Sequence, residues 1–120
     1  MTFKLDELKV LPWGHNFSGK ERIVDFTMDD VKRAINEKKF DKRNYQDDAD
    51  SIYAGINEDP DKWFDSFKNY HIERIAYLVN SGEWEHPITV RQNLTLEDGQ
   101  HRYFAAKYLN KTEMEGEFKV

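Results

Sequence analysis

Apolar residues along this chain recur at two spacings, and each change of spacing marks the boundary of an element. Phe64, Phe67, His71, Ile75 and Leu78 follow one another at intervals of three or four, which predicts one long helix. Asp59 stands ready to cap it, Pro60 suits its first position, and Asn80-Ser81-Gly82 supplies its stop. Trp63, Tyr70 and Tyr77 widen the apolar face. That width predicts a helix buried on much of its girth, or one broken near Asn69. An aromatic stripe at this spacing is read as core in preference to a base-stacking platform. Two shorter helices precede it. One follows Thr27, a capping residue, with Asp29 and Asp30 in the first turn and Val31, Ala34 and Ile35 on one side. The other carries Tyr45, Ala49, Ile52 or Tyr53, and Ile56, and is expected to end near Asn57.

Elsewhere the apolar runs are short and read as strands. Phe3 to Leu11 alternates imperfectly and predicts a strand entering the loop Pro12-Trp13-Gly14-His15-Asn16, read either as a Gly/Asn turn with Trp13 packed on the core or as a loop that faces a ligand pocket. Near the other end, Pro87-Ile88-Thr89-Val90 and Leu94-Thr95-Leu96 flank the polar turn Arg91-Gln92-Asn93. Asp98-Gly99 then marks a sharp turn, Gln100 to Leu109 reads as a helix, and Glu115 to Val120 as a closing strand.

A length of 120 residues corresponds to one domain, 1–120. Charged residues make up 34% of the chain and the net charge is −5, with no basic stripe of the kind that tracks a phosphate backbone. Without cysteine there is no disulfide, thiolate metal site or thiol catalysis. No apolar run is long enough to span a bilayer and no leader pattern opens the chain, so the expectation is a soluble, cytoplasmic protein that does not engage a membrane. His15, His71, His86 and His101 show no zinc-binding spacing. The pairs Asp29-Asp30 and Asp47-Asp48 lie where helices start and are explained by capping. The basic cluster Lys38, Lys39, Lys42 and Arg43 reads as a solvated helix end answered by Asp41, Asp47 and Asp48, with a phosphate or partner contact as the alternative.

The chemistry concentrates around Glu97-Asp98-Gly99-Gln100-His101-Arg102. A helix start carries backbone N–H groups without acceptors inside the helix and roughly +0.5 of a charge, which favours anions. Here the first turn also holds Gln100, His101 and Arg102, side chains able to reach a phosphate. Asp98 has three readings, as helix cap, as the group that orients Arg102, or as a Mg2+ ligand. Arg102 has two, as a helix-surface ion pair or as a phosphate contact.

The segment Ile72 to Val120 resembles the ParB/sulfiredoxin superfamily. The residues carrying the likeness are Ser81-Gly82, Pro87-Ile88-Thr89-Val90, Asp98-Gly99-Gln100-His101-Arg102 and Ala105-Ala106, in the family's order and context. The resemblance implies an α/β (α+β) domain with a small mixed sheet and flanking helices, in which 27–57 is a helical insertion or cap. It also implies a nucleoside triphosphate, ATP or CTP, with Mg2+, held at this turn and hydrolysed or used for phosphoryl transfer. Gly99 and Gln100 would cradle phosphates, His101 and Arg102 would neutralise them, and Asp98 or Glu97 would serve the metal or the chemistry.

Departures from the family matter as well. Gln100 stands where sulfiredoxins place their cysteine, so reduction by a thiol is not expected. No helix-turn-helix or dimer segment follows the last predicted strand, which argues against a sliding DNA clamp. The alternatives are a non-catalytic regulatory module that binds DNA or a protein partner, and a small ParB-like nuclease. Relatives of this type suggest a phage or plasmid setting. Whether the chain is an enzyme, and its oligomeric state, are left open.

Overall fold

The structure, a computed structural model, describes residues 1–17 and 19–120. The described residues form an α+β fold with four α-helices, a mixed four-stranded sheet and a separate two-stranded sheet. The chain divides into two compact units, Met1–Leu11 with Leu78–Val120, and Pro12–Tyr77. The helices expected as an insertion, 27–57, lie within the second.

The first unit holds β1 (Thr2–Lys4), β4 (Ile88–Val90), β5 (Leu96–Asp98), α4 (Gln100–Tyr108) and β6 (Glu113–Phe118). Strand order is β1-β6-β4-β5. β6 pairs antiparallel with β1, Phe3 opposite Met114, and parallel with β4, Ile88 opposite Gly116. Parallel neighbours need a long crossover, and the β5–α4 passage supplies it. Beyond β5 an isolated parallel bridge joins Lys9 to Thr95. Phe3, Leu5, Leu8, Ile88, Val90, Leu96, Tyr103, Ala106 and Met114 form the core. A fully buried side chain such as Ile88 contributes about 1.5–3 kcal/mol. Gly116 is required by close approach, because a Cβ there would stand 2.5 Å from the Ile88 carbonyl oxygen.

The second unit holds the hairpin of β2 (Gly14–Phe17) and β3 (Lys20–Ile23), then α1 (Met28–Asn36), α2 (Tyr45–Ile52) and most of α3 (Pro60–Ser81). Local signals set the helix ends. The Thr27 hydroxyl accepts from the Asp30 amide at 3.3 Å while an Asp30 carboxylate oxygen accepts from the Thr27 amide at 2.8 Å, a reciprocal cap. Asn44 caps α2 through the Asp47 amide, and Asp59 accepts from the Lys62 amide at the head of α3. Val24, Ile52, Trp63, Phe64, Phe67 and Tyr70 make the core, so the aromatic stripe is packing surface. Trp63 Nε1 donates to the Ile52 carbonyl at 2.9 Å.

Of the two alternatives for α3, the structure takes the first: it runs unbroken past Asn69 and is buried on much of its girth, from Trp63 to Leu78. Other expectations are corrected. α2 stops at Ile52 and not near Asn57. The first strand ends at Lys4 because a 3-10 turn, Leu5–Glu7, follows it. Gly14 to Asn16, expected in a loop, pair with β3 in a hairpin whose residues lack the alternation that announces a strand. Arg43 grips Asp41, with Nη2 2.7 Å from Oδ2, and Lys39 lies 3.5 Å from Glu37, so much of the basic cluster is answered locally.

Candidate anion-binding turn at the start of the fourth helix

β5 delivers the chain to Gly99, which adopts φ +103° and opens α4 as its N-cap. The residue must be small for two reasons. A positive φ strains any side chain with a Cβ, and a Cβ at Gly99 would lie 2.7 Å from Ile88 Cγ2. The first bond inside the helix runs from the Tyr103 amide to the Gly99 carbonyl at 2.8 Å. No side chain caps this end, and its first turn contains no acidic residue. Asp98 is therefore not the cap that one reading of the sequence allowed.

Asp98 instead faces Arg102, one turn on, with Oδ2 3.3 Å from Nη2. Arg102 Nη1 donates to the Pro87 carbonyl at 2.7 Å, tying the first turn of α4 to the residue before β4. The Asp98 side chain is 70% exposed, while the Arg102 side chain as a whole is 21% exposed. Two of its N–H groups serve these bonds. A guanidinium carries five, so others remain to meet an oxyanion. The ion-pair reading of Arg102 is thus realised in the fold, with a backbone anchor added.

Glu97 lies apart from this arrangement. Its carboxylate takes hydrogen bonds from Lys119 at 2.8 Å and from Arg91. Those two cations, Lys119 foremost, hold its pKa below the usual carboxylate value. Gln100 folds back so that Nε2 reaches the Glu97 carbonyl at 3.4 Å, and His101 sits half-buried beside it. The fold therefore brings Pro87, Asp98, Gly99 and Arg102 together and draws Glu97 into a second ion network. Sequence reasoning missed Arg91, Lys119 and the Pro87 carbonyl. The hairpin pattern could have suggested Arg91 near β5, but Arg91 faces Thr95, and Glu97 is the extra residue where the register shifts between the Val90–Leu96 and Thr89–Asp98 pairs. Lys119 follows a strand whose place depends on the whole sheet.

A magnesium ion implied by the resemblance needs oxygen donors in near-octahedral array. Among the described residues no group of three or more His, Cys, Asp or Glu is arranged to hold a metal, and Asp98 already spends an oxygen on Arg102. The donor set does not fit a metal held by the protein alone.

Two clefts lie away from the turn. One, of about 320 Å³, is lined by Thr2, Trp84, Glu85, Glu113, Met114 and Glu115. The other, of about 340 Å³, is bounded by Gly55, Glu58, Lys62 and Trp63 among others. Among the described residues no helix is long and apolar enough to cross a membrane. Comparison with family models, with curated proteins and with solved structures found no match.

Proposed function

We propose that the chain binds the phosphate groups of a nucleoside triphosphate, ATP or CTP, at the start of α4, as a cytoplasmic phosphate-handling protein of the ParB/sulfiredoxin type. One observation carries the reading. An acid-free helix start with no side-chain cap has an arginine anchored beside it by a backbone carbonyl and by Asp98. First-turn amides and the helix dipole favour an anion there. Arg102 adds a charge whose position is already set, so little side-chain entropy is lost when a phosphate arrives. In this reading His101 supplies a further donor and Asp98 holds Arg102 in place. The reaction class is hydrolysis or transfer of a phosphoryl group, in which positioning and electrostatics dominate.

A second reading, a non-catalytic regulatory module, is favoured by the state of the carboxylates. Glu97 is held ionised between two cations and Asp98 is paired with Arg102, which leaves neither poised as a base. Both readings share the phosphate site and differ in turnover.

Thermal unfolding of the chain with ATP, ADP, CTP, GTP, inorganic phosphate, single-stranded DNA and duplex DNA tests the proposal. A ligand at 100 times its Kd adds about 2.7 kcal/mol, or roughly 10 °C in Tm for a domain of this size. The expected result is a shift that grows with phosphate number and disappears in Arg102→Ala. Binding without phosphate release selects the regulatory module. A shift with DNA alone, steeply reduced by salt, replaces the nucleotide by a nucleic acid. No shift with any ligand refutes the phosphate site.

A further inference from the structure

Strand β6 is paired along the whole of one side and along only part of the other. Its even-numbered residues turn their backbone toward β1. The Leu5 amide donates to the Thr112 carbonyl at 2.9 Å, and the Gly116 amide to the Met1 carbonyl at 2.8 Å. The odd-numbered residues turn toward β4, and just past β6 the Lys119 amide donates to the Val90 carbonyl at 2.8 Å. β4 begins only at Ile88, opposite Gly116. The chain ahead of it leaves the sheet through Pro87, which has no N–H to give, and the 3-10 turn Glu83–Glu85. The amide and carbonyl of Glu113 and the amide of Glu115 therefore point past the end of β4, where no backbone bond from a described residue meets them.

The cleft of about 320 Å³ lies at this gap, lined by Thr2, Trp84, Glu85, Glu113, Met114 and Glu115. That volume falls within the range of ligand pockets, about 300–1,000 Å³. Trp84 is half-buried against the core and already carries a cation on its ring, with Lys111 Nζ 5.5 Å from the centroid. Glu115 accepts from the Thr2 hydroxyl at 2.6 Å and lies 3.8 Å from the Met1 amino group. Glu85 and Glu113 are exposed, and among the described residues neither carboxylate has an ion pair, although Lys4 stands opposite Glu113 in register.

We infer that this gap is a docking site for an extended, basic segment of a protein partner, which adds its backbone beside the first half of β6 and sets lysine or arginine side chains against Glu85, Glu113 and the Trp84 ring. Main-chain pairing of this kind supplies affinity, and alternate side chains supply specificity. Charge selects the occupant. The lining holds three carboxylates and no cationic side chain, so it repels an anion of the sort proposed for the start of α4. A second copy of the chain is disfavoured as well, because pairing β6 with β6 would set glutamates against glutamates. An open strand edge is normally guarded by charge, and here the guard admits only a partner of opposite sign.

Fluorescence anisotropy with a fluorescein-labelled peptide that alternates valine and lysine tests the inference. Saturable binding that weakens with salt is expected. The double variant Glu85→Gln with Glu113→Gln should bind about tenfold more weakly. Both residues are exposed and without ion pairs, so the variant keeps its fold. The same peptide methylated at its amide nitrogens keeps its charge but cannot join a ladder, and should not bind. Arg102→Ala should bind the peptide as the unaltered chain does, which separates this site from the phosphate turn. In NMR hydrogen exchange the amides of Glu113 and Glu115 should slow by about tenfold on binding, while that of Gly116, already bonded to Met1, should not change. Absence of binding, equal binding of the methylated peptide, undiminished affinity of the double variant, or unchanged exchange at Glu113 and Glu115 would overturn the inference.

Discussion

Replacing Gly99 by alanine tests whether the start of α4 is set by packing before any ligand arrives. Two costs apply. Holding a non-glycine residue at φ +103° takes about 1–3 kcal/mol. The new Cβ would meet Ile88 Cγ2 at 2.7 Å, and Ile88 is fully buried, so relief must come from strain costing about 1–3 kcal/mol. Lower entropy of the unfolded chain returns about 0.4–1 kcal/mol. The net loss is about 1–5.6 kcal/mol, which lowers Tm by roughly 4–22 °C in a chain of this length. Gly82→Ala is the control, since its φ of +80° carries similar strain but nothing lies within 4 Å of the added Cβ. Gly116→Ala isolates the other term, overlap with the Ile88 carbonyl. Thermal unfolding by circular dichroism, without ligand, would compare the three. The reasoning fails if Gly99→Ala loses no more than Gly82→Ala.

Other consequences are open to direct measurement. Arg102→Ala should cost about 1–2 kcal/mol, from the Pro87 bond and a partly exposed ion pair, and should abolish any nucleotide-induced Tm shift. A normal shift in that variant would remove Arg102 from the site. Thr27→Ala should lower stability by about 1 kcal/mol through loss of the reciprocal cap, read by urea unfolding. For Asp41, burial raises the pKa but hydrogen bonds and charge from Arg43 outweigh it, so the net shift is downward. Its stabilising contribution is present above the ordinary value of 3.8 and is lost as pH falls below it. Arg43→Gln should flatten that part of an acid titration, and an unchanged slope would assign the loss to other groups.

Local signals carried much of the fold. Thr27 with Asp30, Asp59 with Pro60, and Gly82 act within a few residues of their own position, so the ends they set are readable in order along the chain. The strands around Ile88 and Leu96, the turn at Gly99 and the helix after it were legible for the same reason. The β2–β3 hairpin was not, because Gly14 to Ile23 lacks an apolar alternation and depends on Trp13 and Val24 reaching the aromatic core of its unit.

At the candidate site the residue types were legible and their partners were not. The predicted turn and helix start, with the resemblance they carry, singled out Glu97, Asp98, Gly99, Gln100, His101 and Arg102. Only the folded chain assigned Asp98 and the Pro87 carbonyl to Arg102, and Glu97 to Arg91 and Lys119. Lys119 reaches Glu97 because β6 runs parallel beside β4 and its own amide bonds the Val90 carbonyl. His71 followed the apolar spacing of α3 in sequence, but its solvent exclusion depends on Trp13 and Tyr45, distant in the chain. Caps and turns are decided by neighbours a few bonds away. Ion-pair choice and the charge state of a buried ring depend on what the tertiary fold sets around them.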